Sequence, residues 1–318
     1  MRLLAWTISL PSQLEENMKA RLKKIGQRIG KLIAEGVFSS QERKRIGEIG
    51  TVDKGMQILL ALQYRQFLHL GLSRPQFADI EFSAFSQNGE DGILLFLFSL
   101  LGTTNRKAIE ICAGDGIECN AANLIINHGW TGLLIDGDQH NIDRGREFYA
   151  HHKDTWLWPP ALCRAWVTAE NVNSLIRANG FEGDIDLLSL DLDGVDYWIW
   201  RAIDCIAPRV VVLEYQDIWG PEQSVTVPYS PEFRGEHGAH GLHYGGASLQ
   251  AFVKLGREKG YRLVGSQRYG FNAFFVRCGI GEDILPEVAP HTCLGHPRTS
   301  YGAKHRLPEV ILREWTEV

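Results

Sequence analysis

The chain has 318 residues, 44% hydrophobic and 22% charged, with a formal net charge of -5 and nine tryptophans. That length suits one large α/β domain with an appendage, and the acidic balance excludes a global field that would gather nucleic acid. Six cysteines without a Cys-x-x-Cys pair give no zinc ribbon, and Cys112, Cys163, Cys205 and Cys278, in or beside apolar runs, read as small buried hydrophobes in a reducing, cytoplasmic compartment.

The opening Met1 to Trp6 carries one charge and lacks the length and cleavage site of a signal peptide. The longest apolar run, 93–101, is far short of the ~20 residues of a membrane span, so no membrane contact is expected. Leu14, Met18, Leu22, Ile25, Ile29 and Ile33 recur every three or four residues, a helical period. Lys19, Arg21, Lys23, Lys24, Arg28 and Lys31 lie between them, on a face that is solvated or joins a homo-oligomer. A second helix is predicted over 52–70, and Gly71 and Pro75 then punctuate the chain. Residues 1–80 thus read as a helical N-terminal appendage.

From about residue 85 short β-forming runs alternate with helical stretches. Strands are predicted at 108–112, 132–136, 162–167, 185–191, 210–214, 261–265 and 273–277. Helical stretches separate the first six, which predicts a mostly parallel sheet with helices on both faces. Only 266–272 separates the last two, too little for a crossover, so they form an antiparallel hairpin at a sheet edge. The expected fold is an α/β, Rossmann-like, seven-stranded mostly parallel sheet with an antiparallel terminal strand. It occupies 81–280 and carries an insertion at 215–245, and an irregular tail fills 281–318.

The strongest local signal is Ala108-Ile109-Glu110-Ile111-Cys112-Ala113-Gly114-Asp115-Gly116. An apolar strand ends there in a Gly-x-Gly turn. Glycine lets the backbone approach a ligand and adopt positive φ, and open α/β sheets bind cofactors at such strand ends. The next strand ends in Asp136, about twenty residues on, where a carboxylate accepts both ribose hydroxyls. A dinucleotide site asks for Gly-x-Gly-x-x-Gly with a diphosphate on the helix N-terminus, but Cys119 holds the third position. Glu110 and Asp115 bracket the turn and Glu118 follows. Negative charge repels a diphosphate and attracts a sulfonium or an ammonium, which favours S-adenosylmethionine over NAD.

The run Glu110 to Gly116 resembles the first motif of class I S-adenosylmethionine-dependent methyltransferases, with Ala113 where the family has glycine. Asp136 falls at that class's ribose-binding position. Val167-Thr168-Ala169-Glu170-Asn171 resembles the segment that touches adenine, which implies a cofactor contact for Thr168. Ser86-Gln87-Asn88-Gly89-Glu90-Asp91 resembles the lead-in of FkbM-type methyltransferases and implies cofactor contacts for Gln87 and Glu90. As plain residues the same two also suit the cap of a helix starting near Asp91. The resemblance spans 85–277. The segments 189–200 and 229–248 depart from it, so the acceptor does not carry over.

The fourth predicted strand runs into Asp191 and Asp193, and the fifth ends in Glu214. If adjacent and parallel, they join these acids at the carboxyl edge of the sheet, where the methyl group points. Asp191 then borders the cofactor, and Asp191, Asp193 and Glu214 offer three oxygens to Mg²⁺. Such an ion holds two acceptor oxygens and lowers a hydroxyl's pKa. Without a metal, one acid is a general base and another caps the next helix. His237, His240 and His243 recur among glycines, which marks a loop, and His243 is the preferred general base with Asp193 as the other candidate. Tyr215, Trp219, Tyr229 and Tyr244 either line an acceptor pocket or pack the insertion down. Asn272 leads into the last strand. The expected activity is O-methylation of a hydroxylated small molecule, a sugar or natural-product intermediate. The alternatives are an NAD-dependent oxidoreductase and a non-catalytic cofactor-binding module of the same fold.

Overall fold

The computed structural model describes residues 52–70, 74–238 and 241–318. The helix expected over 12–50, with the oligomer contact assigned to it, lies outside the described residues. Among the described residues three helices precede the sheet: α1 (Lys54–Leu70), α2 (Phe77–Ile80) and α3 (Glu90–Leu101). Apolar nearly all round, α3 is buried from Glu90 to Leu100, as such a helix must be. Tyr64 of α1 meets Phe96 of α3 edge-on at 5.0 Å. A Cβ on Gly92 of α3 would fall 2.0 Å from the Ile80 carbonyl oxygen and 2.6 Å from the Phe82 nitrogen. Gly92→Ala must therefore separate α3 from the 80–82 segment, at an expected cost of about 1–3 kcal/mol. A urea midpoint equal to that of the wild type would overturn this reading.

The alternating region then runs β1 (Lys107–Ile111), α4 (Ala122–His128), β2 (Thr131–Asp136), α5 (Gln139–His151), β3 (Ala161–Arg164), α6 (Val172–Ala178), β4 (Gly183–Leu190), α7 (Asp196–Ala202) and β5 (Ile206–Glu214). The insertion carries β6 (Val225–Thr226), β7 (Glu236–Gly238) and β8 (Gly241–Tyr244), and α8 (Leu249–Glu258), β9 (Tyr261–Ser266) and β10 (Asn272–Arg277) follow. The tail, expected to be irregular, holds α9 (Pro297–His305), α10 (Leu307–Val310) and β11 (Thr316–Glu317).

The main sheet has seven strands in the order β3-β2-β1-β4-β5-β10-β9. Pairs from β3 to β5 are parallel, and β10 is antiparallel to both neighbours. The fold class read from the sequence is the one observed, and so is the closing hairpin. Its first strand, β9, forms the sheet edge, and β10 inserts between it and β5. Because β2 ends at Asp136, β3 stops at Arg164 with one further bond, from Ala165 N–H to the Asp136 carbonyl at 3.0 Å.

Strand side chains alternate between faces, and both faces are covered. Ile109, Leu188, Val211 and Phe275 enter one cluster. Ala108, Leu187, Val212 and Phe274 enter the other, with Phe96 of α3 and Ile125 of α4. The insertion is not a single loop: β7 and β8 form a hairpin, and β6 pairs with β11. Three of the four insertion aromatics pack it onto the tail. Tyr215 donates to the Cys293 carbonyl at 3.1 Å, Tyr244 donates to the Glu314 carbonyl at 2.6 Å, and Trp219 meets Trp315 at 4.8 Å. Among the described residues no helix is long and apolar enough to cross a membrane.

Candidate functional site at the carboxyl edge of the sheet

In a parallel sheet every strand ends at one edge, and β1, β2, β4 and β5 all deliver polar residues there. Gly114 and Gly116, in the turn after β1, have φ of 58° and 71°. A Cβ on Gly116 would meet Leu134 Cδ1 at 2.6 Å, while one on Gly114 would meet nothing within 4 Å. The second glycine thus fits the turn to the sheet, and the first faces open space. Cys112 (φ 62°) and Asp193 (φ 54°) are also left-handed although they carry side chains. That conformation costs about 1–2 kcal/mol, a kind of strain that gathers at functional sites.

Asp136 is held at the end of β2. Its Oδ2 accepts the Gly114 N–H at 3.0 Å, and its Oδ1 accepts the Asp138 N–H at 2.8 Å and Asn141 Nδ2 at 3.1 Å. A carboxylate has about four acceptor positions, so one stays open. Glu110 lies beneath the turn instead of beside it. Buried, it accepts the N–H groups of Asn120 at 3.0 Å and Ala121 at 2.6 Å and anchors the start of α4, and burial pushes its pKa up. Asp115 accepts the Ile117 N–H at 2.9 Å and pairs with Arg144 at 2.9 Å. Glu110 and Asp115, expected to charge the turn, are thus taken up by the chain.

Further carboxylates come from the neighbouring strand ends. Ligand oxygens of Asp191, Asp193 and Glu214 all lie within 4.8 Å of one another. Burial, and then the surrounding carboxylates, push Asp191 and Glu214 upward. Asp196 accepts the N–H groups of Leu192 at 2.7 Å and Gly194 at 3.1 Å, folding the loop that presents Asp193, and burial raises it to about 6. Cys112 and Cys278, expected to be buried, are exposed; the Cys112 thiol, desolvated by its surroundings, registers the combined field of Asp196, Asp136, Asp191 and Asp193, which push its pKa up. His237 Nε2 lies 3.6 Å from Asp193 Oδ2.

The remaining expected residues are spread more widely. Gln87 is exposed, 3.4 Å from Glu118. Glu90, the first residue of α3, turns to β10, where it accepts Asn272 Nδ2 at 2.9 Å, and it also accepts the Asn88 N–H at 2.9 Å. The Thr168 N–H donates to Asn171 Oδ1 at 2.9 Å. The adjoining Ala169 N–H donates to Tyr229 Oη at 2.9 Å, and Tyr229 donates to Glu170 at 2.7 Å, so the insertion latches onto this segment. His240 and the side chain of His243 lie outside the described residues. Sequence reasoning passed over Asn141, Arg144 and Asp196; a polar residue one helical turn beyond a strand-end acid is the signal that would have found the first. A cavity of about 960 Å³ lies along β9, lined by Phe77, Arg268 and His296 among others, and none of the described residues lining it is acidic.

No protein-family model matches the chain, and no curated protein matches it. Among solved structures it is similar to an S-adenosylmethionine-dependent methyltransferase from Clostridium acetobutylicum, at 9% identity over 69% of this chain and 98% of that one, with a TM-score of 0.39. It is similar to the CcbJ methyltransferase from Streptomyces caelestis at 15% identity, 64% and 96% coverage and a TM-score of 0.40. For the mitomycin 7-O-methyltransferase MmcR the values are 17%, 56%, 50% and 0.34. At these values the likeness assigns no chemistry to this chain.

Proposed function

We propose that the chain is an S-adenosylmethionine-dependent methyltransferase that O-methylates a hydroxyl of a polar small molecule, a sugar or natural-product intermediate. Asp191, Asp193 and Glu214 hold a divalent cation such as Mg²⁺ beside the acceptor. The observation that carries this reading is the open face of Gly114 set in the field of Asp136, Asp191, Asp193 and Asp196. Opposite charges attract across such a cleft, so a cationic sulfonium suits it and the diphosphate of NAD does not. The Ser86 to Asp91 segment supports an FkbM-like member of the class, and six free cysteines support a reducing, cytoplasmic setting.

When bound, S-adenosylmethionine supplies a methyl group on positively charged sulfur. The chain's own part begins with Asp136, whose open acceptor position takes a ribose hydroxyl while three chain donors hold the carboxylate still. Gly114 lets the backbone lie against the cofactor. Oxygens around one hard divalent ion at about 2.0–2.6 Å stand up to about 4–5 Å apart, a spread that the three clustered carboxylates match. Such an ion lowers the pKa of an acceptor hydroxyl. With Asp193 engaged there, His243 on β8 takes the acceptor proton; without the ion, Asp193 takes it. Alignment of acceptor and methyl contributes up to about 7–11 kcal/mol.

Calorimetric titration of the wild type and Asp136→Ala with S-adenosylmethionine and with NAD tests the cofactor. The wild type is expected to bind the sulfonium compound. The variant is expected to bind it about 10–100-fold more weakly, the worth of a hydrogen bond to a charged group. Binding of NAD instead would overturn the reading, and equal binding by Asp136→Ala would remove the ribose assignment. Turnover over hydroxylated acceptors, expected to fall on EDTA treatment, tests the reaction and the cation.

A further inference from the structure

Antiparallel β10 brings to the carboxyl edge a residue that no parallel strand could. Asn272 opens that strand and pairs with Glu214 in register. The adjoining Tyr215 N–H bonds the Phe271 carbonyl at 3.0 Å, so Glu214 and Asn272 form a non-hydrogen-bonded pair, the kind whose side chains stand closest. Period-two alternation places Asn272 with Phe274, and Glu214 with Val212, on the face covered by α3. On β4, Leu187 faces the same way, and Asp191 continues its alternation past the strand end. Asp191, Glu214 and Asn272 therefore follow one another across the sheet edge on one face.

Asn272 is 6% exposed, and its Oδ1 is buried without a hydrogen-bond partner. The bond from Nδ2 to Glu90 at 2.9 Å fixes which way the amide points. Glu90 is itself steadied by the Asn88 N–H at 2.9 Å, and Gln267 Nε2 holds the Asn88 carbonyl at 3.1 Å. A buried acceptor calls for a donor or a cation. Glu214 is the cross-strand neighbour of Asn272, and among the described residues no group donates to Oδ1.

We propose that Asn272 Oδ1 is the fourth protein oxygen of the cation site formed by Asp191, Asp193 and Glu214, with Glu90 as the positioning residue that orients the amide. The proposal rests on the reading that those carboxylates bind a divalent ion. Three carboxylates and an amide carbonyl form an all-oxygen set, which suits Mg²⁺, Mn²⁺ or Ca²⁺ and not the softer metals that seek thiolate or imidazole. The ion would supply the positive partner that Oδ1 lacks.

The test uses full-length protein stripped with EDTA. Mn²⁺ binding is read from the electron paramagnetic resonance signal of the free ion, and thermal unfolding is followed with and without Mn²⁺. The wild type should bind one Mn²⁺ and gain thermal stability, and Glu214→Gln should lose both. Asn272→Leu should weaken binding by about 10-fold or more, and Asn272→Asp, which keeps the oxygen, should restore it. Should the leucine variant not fold, Asn272→Ser, whose hydroxyl is too short to reach the ion, is expected to show the same loss. Wild-type affinity in a folded leucine or serine variant would overturn the role of Asn272 and leave the carboxylate site standing. No Mn²⁺ bound by the wild type would remove both. A protonated alkylamine that protects the wild type where Mn²⁺ does not would assign the cluster to a cationic acceptor and overturn the proposal.

Discussion

Asp217→Leu should lower the unfolding free energy by about 3–5 kcal/mol, the usual result of removing one partner from a buried ion pair. Asp217 is 2% exposed in the short 3₁₀ turn after β5. Its Oδ2 takes Arg298 at 2.9 Å, and its Oδ1 takes Arg306, which also reaches Gln216 at 3.2 Å. Both arginines belong to the α9 region, so one carboxylate fastens the tail beneath the end of β5. Leucine would strip two guanidinium groups of that carboxylate. Urea denaturation measures the loss, and a change under about 1 kcal/mol would contradict it. The double variant Asp217→Leu with Arg306→Met should recover part of the stability, because much of the damage is the charge left behind. Glu214 lies three residues before Asp217, so the single variant should also lose the methyl transfer proposed for the chain.

Glu214→Gln should act in opposite directions on stability and on function. Without a cation, Asp191, Asp193 and Glu214 crowd acceptor oxygens together, and burial followed by mutual repulsion raises Asp191 and Glu214. A raised carboxyl pKa means that the folded chain holds its proton more tightly than the unfolded chain does. Stability contributed by these groups is therefore present at low pH. It drains away as pH climbs from the ordinary carboxylate range toward and past neutrality. Metal-free wild type should accordingly unfold at a lower temperature at pH 8 than at pH 6. The glutamine variant should flatten that slope and gain roughly 1 kcal/mol at pH 8, which is about 2–4 °C in Tm. On the proposed function, the same change should abolish cation binding and reduce turnover by about 100-fold. A lower metal-free Tm for Glu214→Gln at pH 8 would sink this account.

How much of this was legible depended on whether local pattern or strand order decided it. All seven sheet strands were marked by β-forming runs between turn signals. Asp191, Asp193 and Glu214 could be joined from sequence because two adjacent parallel strands each end in an acid. Glu110 was misplaced beside the turn, although counting two from Ala108 puts both on one face; its partners, the Asn120 and Ala121 N–H groups, lie across that face. Asn272 could not be placed, since its pairing with Glu214 requires that β10 enter between β5 and β9. The α9 segment carries no apolar period. It is helical around contacts to Asp217, 80 or more residues away in the chain, which no local window contains.

The position of β10 also governs the order in which the molecule can be completed during synthesis. The inner strand β5, with its apolar run Val210 to Leu213, is made before the strand that pairs with it along that run. The strand that covers that run is the last of the sheet to be made. Until residue 277 is free, the nascent protein carries an unpaired hydrophobic border of the kind that recruits other chains, so its greatest exposure to aggregation falls late in translation.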